Sequence, residues 1–249
     1  MLLTSLKGTK EEIYAFPVRY LPDPVSFENY RNMLEGSNFG HNILNSLLVS
    51  TLAGLFAVII GAMAGYVLAR FRFKLRGPLL FFFLFTQMIP MFLMLAPLYG
   101  MMSRLHLLNN TLSLIIVYTN MMIPFSVVTL KGFFQGVSSS IEEAAQIDGC
   151  GRLRALFLVI VPVILPGIAS AFIFAFVNSW NELFAAIMFI NDDRFKTIPV
   201  ALNALILKYD VKWGEMSAGT ILSVIPTAFL FVFAQNYMAE GLTTGAVKG

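Results

Sequence analysis

Five apolar runs dominate this chain, each at least about as long as the roughly 20 residues that carry a helix across a bilayer. They extend from Ile43 to Ala69, Pro78 to Met102, Thr111 to Phe134, Leu156 to Ile190 and Ala218 to Met238. Backbone amides inside lipid have no water to bond, so such runs predict helices that satisfy their own N–H and C=O groups. Outside them, no stretch alternates apolar and polar residues long enough to build a soluble domain. The expected fold is an all-α membrane protein, a polytopic helical bundle with a single domain over residues 1–249. The fourth run exceeds what a bilayer needs, so it is expected to tilt, to extend past the lipid or to break. Pro162 and Pro166, near its start, mark the place for a break.

Charge supports lipid as the surrounding and excludes other surfaces. Only 12% of residues are charged, against about 25% in soluble domains. A net charge of +3 is too small for a nucleic-acid surface on a chain of this size. The basic residues divide almost evenly between the two sides of the runs, but Arg70, Arg72, Lys74 and Arg76 crowd one short connection. Short loops beside spans weigh most in setting orientation. That places this connection, residues 136–155 and the tail 239–249 in the cytoplasm. Residues 1–42 and 191–215 then lie outside, and the closely spaced Pro17, Pro22 and Pro24 exclude a regular helix where they stand. No signal peptide is expected, because Ser5, Lys7 and Lys10 interrupt any apolar core of about 7–15 residues.

The polar break between the third and fourth runs is the most informative local feature. It reads Glu142-Glu143-Ala144-Ala145-Gln146-Ile147-Asp148-Gly149 and continues through Cys150-Gly151-Arg152-Leu153-Arg154. Ser140 and Glu143 spell a capping box, Ala144 and Ala145 favour helix, and Gly149 suits a left-handed C-terminal turn. A short helix, a bend and a second helical start are expected. Local chemistry leaves two uses open: an ordinary connector, or a loop that a soluble protein holds.

The pattern Glu143-Ala144-Ala145-x-x-Asp148-Gly149, closed by Pro162, resembles the signature loop of ATP-binding-cassette (ABC) importer permeases. Val159 and Val161 stand where that family usually has Ile and Leu. Ser179-Trp180-Asn181-Glu182 and the tail from Gly241 to Gly249 resemble the carbohydrate branch, the maltose-transporter type. The resemblance covers essentially the whole chain and implies the type I importer fold. It implies a non-catalytic inner-membrane permease for a sugar, with these partners: ABC ATPase subunits, a second non-identical permease and an extracytoplasmic sugar-binding protein. Glu142, Glu143, Ala144, Ala145, Asp148, Gly149 and Arg152 become the expected ATPase-coupling loop. Gly241, Thr243, Gly245 and Lys248 become either a second ATPase contact or a flexible solvated tail. The loop 191–215 is expected to face the binding protein. Leu3 to Lys7 looks like the end of a first span, so a sixth apolar span is expected upstream of Met1.

No motif supplies chemistry of its own. There is no G-x-x-x-x-G-K-[ST] phosphate loop, and neither the lone Cys150 nor the separated His41 and His106 suggests a nucleophilic or metal site. No cofactor is expected. Glu182 is the one acid placed inside a run. With Trp180 and Asn181 it forms a polar and aromatic patch that either lines a pathway or anchors the helix at the interface. Gln87 and Asn120 are expected to bond between helices, and Gly61-x-x-x-Gly65 to permit close packing. Pro90, Pro97, Pro124 and Pro226 are each expected to interrupt a helix. The competing function is a self-contained ion- or proton-coupled transporter, which Glu182 alone supports. A non-transporting scaffold would not need interrupted helices.

Overall fold

The first apolar run folds as one helix, α1 (Phe39–Arg70), whose 32 residues reach about 48 Å at 1.5 Å each. In this computed structural model, residues 1–8, 13–36, 38–207 and 210–246 are described. The second run is not one helix. It forms α2 (Arg76–Gln87) and α3 (Met91–Arg104), bent by 97°. The cause is Pro90: proline disfavours helix at Ile89, and the Pro90 carbonyl instead accepts the first bond of α3 from Leu93 N–H at 3.1 Å. The third run is α4 (Thr111–Gly136), followed by the short α5 (Ser139–Ile147).

The fourth run breaks, as its prolines suggested. A helical segment over Arg152–Val163 gives way at Ile164 to α6 (Leu165–Asn181), with a bend of 75°. Pro162 and Pro166 each lack the N–H that a continuous helix would use. A second break at Glu182 and Leu183 precedes α7 (Phe184–Phe189). The last run lies in α8 (Trp213–Ala246). Pro97, Pro124 and Pro226 sit inside α3, α4 and α8 without ending them, so of the four prolines only Pro90 interrupts a helix. Among the described residues, three helices are long and apolar enough to cross a membrane, or five if each bent pair counts as one span.

The chain divides into two compact units. The first comprises Met1–Val49, Leu95–Leu114 and Trp180–Phe229. Within it, Met33 and Phe39 are fully buried against Gly219, and Ser46 Oγ accepts a bond from Ile198 N–H at 2.8 Å. A two-residue antiparallel ladder pairs Ile206 with Val211 before α8 begins.

The second unit comprises Ser50–Met94, Ile115–Ser179 and Leu230–Gly249. Val58, Tyr66, Leu130, Phe134, Ile160 and Ile164 are buried together there. The Gly61–Gly65 pair is used as the spacing suggested. A Cβ on Gly61 would lie 2.5 Å from Ser126 Cβ, and one on Gly65 2.9 Å from the backbone nitrogen of Lys131. Helices α1 and α4 therefore meet backbone to backbone. Gln87 and Asn120, by contrast, are exposed rather than tucked between helices.

Candidate coupling site

Helix α5 starts two residues earlier than its apparent capping box. Ser138 is the N-cap, its Oγ accepting from Ser140 N–H at 3.3 Å. Ser140 is already inside the helix and Glu143 therefore closes no box. The far end is as the sequence suggested. Gly149 has φ +87°, and its N–H bonds to Gln146 O at 3.1 Å while Cys150 N–H bonds to Ala145 O at 3.0 Å. This is the paired 5→2 and 6→1 pattern of a Schellman turn, which satisfies carbonyls that would otherwise lack donors.

With that phase, α5 presents two unlike faces. Glu142 and Ala145, three residues apart, point inward. Glu142 is only 7% exposed. Its Oε2 lies 2.9 Å from Arg70 Nε in an ion pair, and Tyr66 Oη donates to its Oε1. Arg70 Nη2 also donates to Val137 O at 3.0 Å. Glu142 is thus an internal anchor and not the accessible docking charge expected from the sequence. Arg152 is exposed but its guanidinium sits 5.4 Å from the centre of the Phe71 ring, a cation–π distance.

The outward face carries Glu143, Ala144, Asp148 and Gly149, all exposed. It also carries residues that sequence reasoning missed. Ile147 is 86% exposed and Leu153 72%, flanking the turn at Gly149. Their only sequence signal is an apolar side chain on each side of a helix-ending glycine in an otherwise polar loop. Tyr66 and Arg70 were also missed: Arg70 read only as an orienting charge.

The patch at Trp180, Asn181 and Glu182 comes out differently from expectation. Trp180 is 4% exposed, so its ring is not available for stacking on a sugar. The Glu182 carboxylate accepts from the backbone N–H groups of Phe184 at 2.8 Å and Ala185 at 3.1 Å, at the start of α7. An acid beside the N–H groups that open a helix is electrostatically favoured. Asn181 is exposed. In the tail, Gly241, Thr243 and Gly245 fall within the last turns of α8, and Lys248 lies outside the described residues.

The connection after α7 is ordered by side chains that hold backbone. Asn109 Oδ1 accepts from Asn191 N–H at 2.6 Å and Asp192 N–H at 3.0 Å. Asn45 Nδ2 donates to Arg194 O at 2.8 Å and Lys196 O at 3.0 Å. The Arg194 guanidinium, 2.6 Å from Asp192, holds that carboxyl down at about 2 from its ordinary 3.8. The polar surface loop expected here is therefore a built structure.

Comparison with known proteins matches the chain to one family. Residues 57–244 match the binding-protein-dependent transport system inner membrane component family. The chain is 34% identical over its whole length to the diacetylchitobiose uptake system permease protein DasC of Streptomyces coelicolor, covering 90% of that protein. It is 34% identical, again over its whole length, to the sulfoquinovosyl glycerol transport system permease protein SmoH of Agrobacterium fabrum, covering 87% of it. The trehalose transport system permease protein SugB of Mycobacterium tuberculosis is 31% identical over 93% of this chain and 85% of its own. The fold matches a bacterial ABC transporter involved in import of the acidic polysaccharide alginate, with TM-score 0.80 at 21% identity, over 95% of this chain and 88% of that one. The chain belongs to the binding-protein-dependent transport system inner membrane components, the permease subunits of ABC importers.

Proposed function

We propose that this chain is one permease half of an ATP-driven sugar importer, coupled through α5 to an ATPase subunit. The observation that carries the reading is the outward face of α5. There, Ile147 stands exposed beside Glu143 and Asp148 at the end of a helix capped at both ends and anchored from behind, with Leu153 exposed just beyond its closing turn. Exposed apolar side chains beside charges suit a groove that hides the first and orients by the second. The permease does not hydrolyse ATP in this reading. A separate ATPase closes on α5, and a second, non-identical permease completes the translocation pathway.

Three further assignments follow. The α5 side and the C-terminal tail face the cytoplasm, in agreement with Arg70, Arg72, Lys74 and Arg76 beside α1. The loop 191–215, whose first part is clamped at residues 191–198, faces an extracytoplasmic sugar-binding protein. The cargo is a glycoside, since the relatives above are named for transport of diacetylchitobiose, trehalose and a sulfoquinovosyl glycerol. The proton-coupled alternative loses support because the Glu182 carboxylate is already bonded to the backbone amides of its own chain.

The test is isolation from native membranes in mild detergent, with mass spectrometry of everything that accompanies the chain. An ATPase and a second permease are the expected companions. A homo-oligomer that remains free of ATPase under crosslinking would overturn the reading.

A further inference from the structure

Helix α5 and the residues that flank it meet the C-terminal end of α1 and the adjoining Phe71 at three points, one of them on α5 itself. Near its start, Arg70 Nη2 donates to Val137 O at 3.0 Å. In its first turn, Glu142 receives both the Arg70 charge and the Tyr66 hydroxyl. Beyond its Schellman turn, Arg152 stacks over Phe71. Tyr66 itself is wedged edge-on between Phe71 at 6.1 Å and Phe134 at 5.4 Å. Nothing in the polar chemistry of the outward face requires any of this, because Glu142 is turned away from solvent.

A buried ion pair is weak evidence for stability, and in some systems its role is instead to fix one arrangement among several. We infer that Tyr66, Arg70 and Glu142 form a latch that makes α5 and the end of α1 move as one piece. The inference rests on the reading of α5 as the ATPase-docking helix. The covalent connections of α5 run to α4 through Ser138 and onward through Gly149, where two glycines and a cysteine make a turn rather than a rod. The latch gives α5 a third, non-covalent route, into a 32-residue helix that continues far from the docking face. Tyr66, Arg70 and Glu142 are positioning residues: they touch neither ATPase nor cargo and act through where they hold α5.

The experiment uses the whole transporter, with its ATPase, second permease and binding protein, in lipid vesicles. In a Cys150→Ala background, spin labels at Val67→Cys and Gln146→Cys report the α1–α5 separation by electron paramagnetic resonance. It is measured without nucleotide and after trapping with ATP and orthovanadate. With the latch intact, the separation is expected to hold within about 1 Å; helix shifts of about 1–2 Å or more are typical when elements move independently. Glu142→Gln keeps the side-chain shape and removes the charge, and is expected to let the separation change on trapping. Tyr66→Phe keeps the ring packing and is expected to show a smaller change, so the idea stays testable if the first variant assembles poorly. A native separation that changes on trapping as much as in Glu142→Gln overturns the latch. A parallel Ile147→Cys crosslink to the ATPase separates the two failures. If that crosslink does not form, the docking reading fails; if it forms and the separation still changes, only the latch does.

Discussion

Two polar connections of this chain are held in different ways. Helix α5 is held chiefly through one of its side chains: Arg70 and Tyr66 close on Glu142, while Arg70 also bonds Val137 O just before the helix. The segment after α7 is held by side chains gripping backbone: Asn109, Asn45 and Ser46 bond to amides and carbonyls of residues 191–198. The first arrangement keeps a helix rigid and hands its position to a few residues. The second fixes a path through space and leaves side chains such as Arg194 and Asp193 turned to solvent. One suits the passing of force, the other the display of a surface.

The contrast breaks most sharply at Glu142. Glu142→Ala leaves Arg70 buried without its counter-charge, and is expected to cost about 3–5 kcal/mol. Glu143→Ala, on the exposed face, should stay within about 0.5 kcal/mol. Thermal unfolding of the two detergent-purified variants checks the difference; equal losses would mean Glu142 is not an anchor. Next in size is Gly149→Val. A β-branched residue at φ +87° is expected to cost about 1–2 kcal/mol and to disturb the turn that presents Ile147 and Leu153. Its readout is retention of the ATPase during purification.

Asn109→Ala removes the side-chain acceptor of two backbone N–H groups in the other connection, for an expected loss of about 1–2 kcal/mol. Limited proteolysis should then cut between Asn191 and Lys196 while α5 stays protected. The smallest effect belongs to Asp192→Asn. With its carboxyl held at about 2, Asp192 contributes fully above the ordinary 3.8 and loses that contribution as pH falls through 2. The variant is therefore expected to melt slightly below the native protein above about pH 4, and the two should converge as pH falls through about 2. Raising salt should erase what difference remains.

The long elements and the turn chemistry were legible because they depend on neighbours in sequence. Apolar runs gave α1, α4 and α8, Pro162 and Pro166 gave the bend at Ile164, and Gly149 gave its turn. Pro90 and Pro97 show the limit of that logic. They differ only in whether the residues around them keep helical partners, and sequence spacing does not carry that information. Glu142 was misread for a different reason. Its partners lie more than 70 residues away, and a helix start displaced from Ser140 to Ser138 changed which acid faced inward. For Trp180 the sequence left two uses open, and its burial, which depends on residues distant in the chain, was not legible.

The contact at Gly61 and Gly65 has a mechanical consequence. Where helices meet through side chains, rotamers can absorb a displacement before the neighbour feels it. Between α1 and α4 that slack is missing, since backbone lies on backbone at Ser126 and Lys131. A push delivered at the Arg70 end of α1 reaches α4 with almost no give, and the glycine seam works as a weld in the drive train rather than as a bearing.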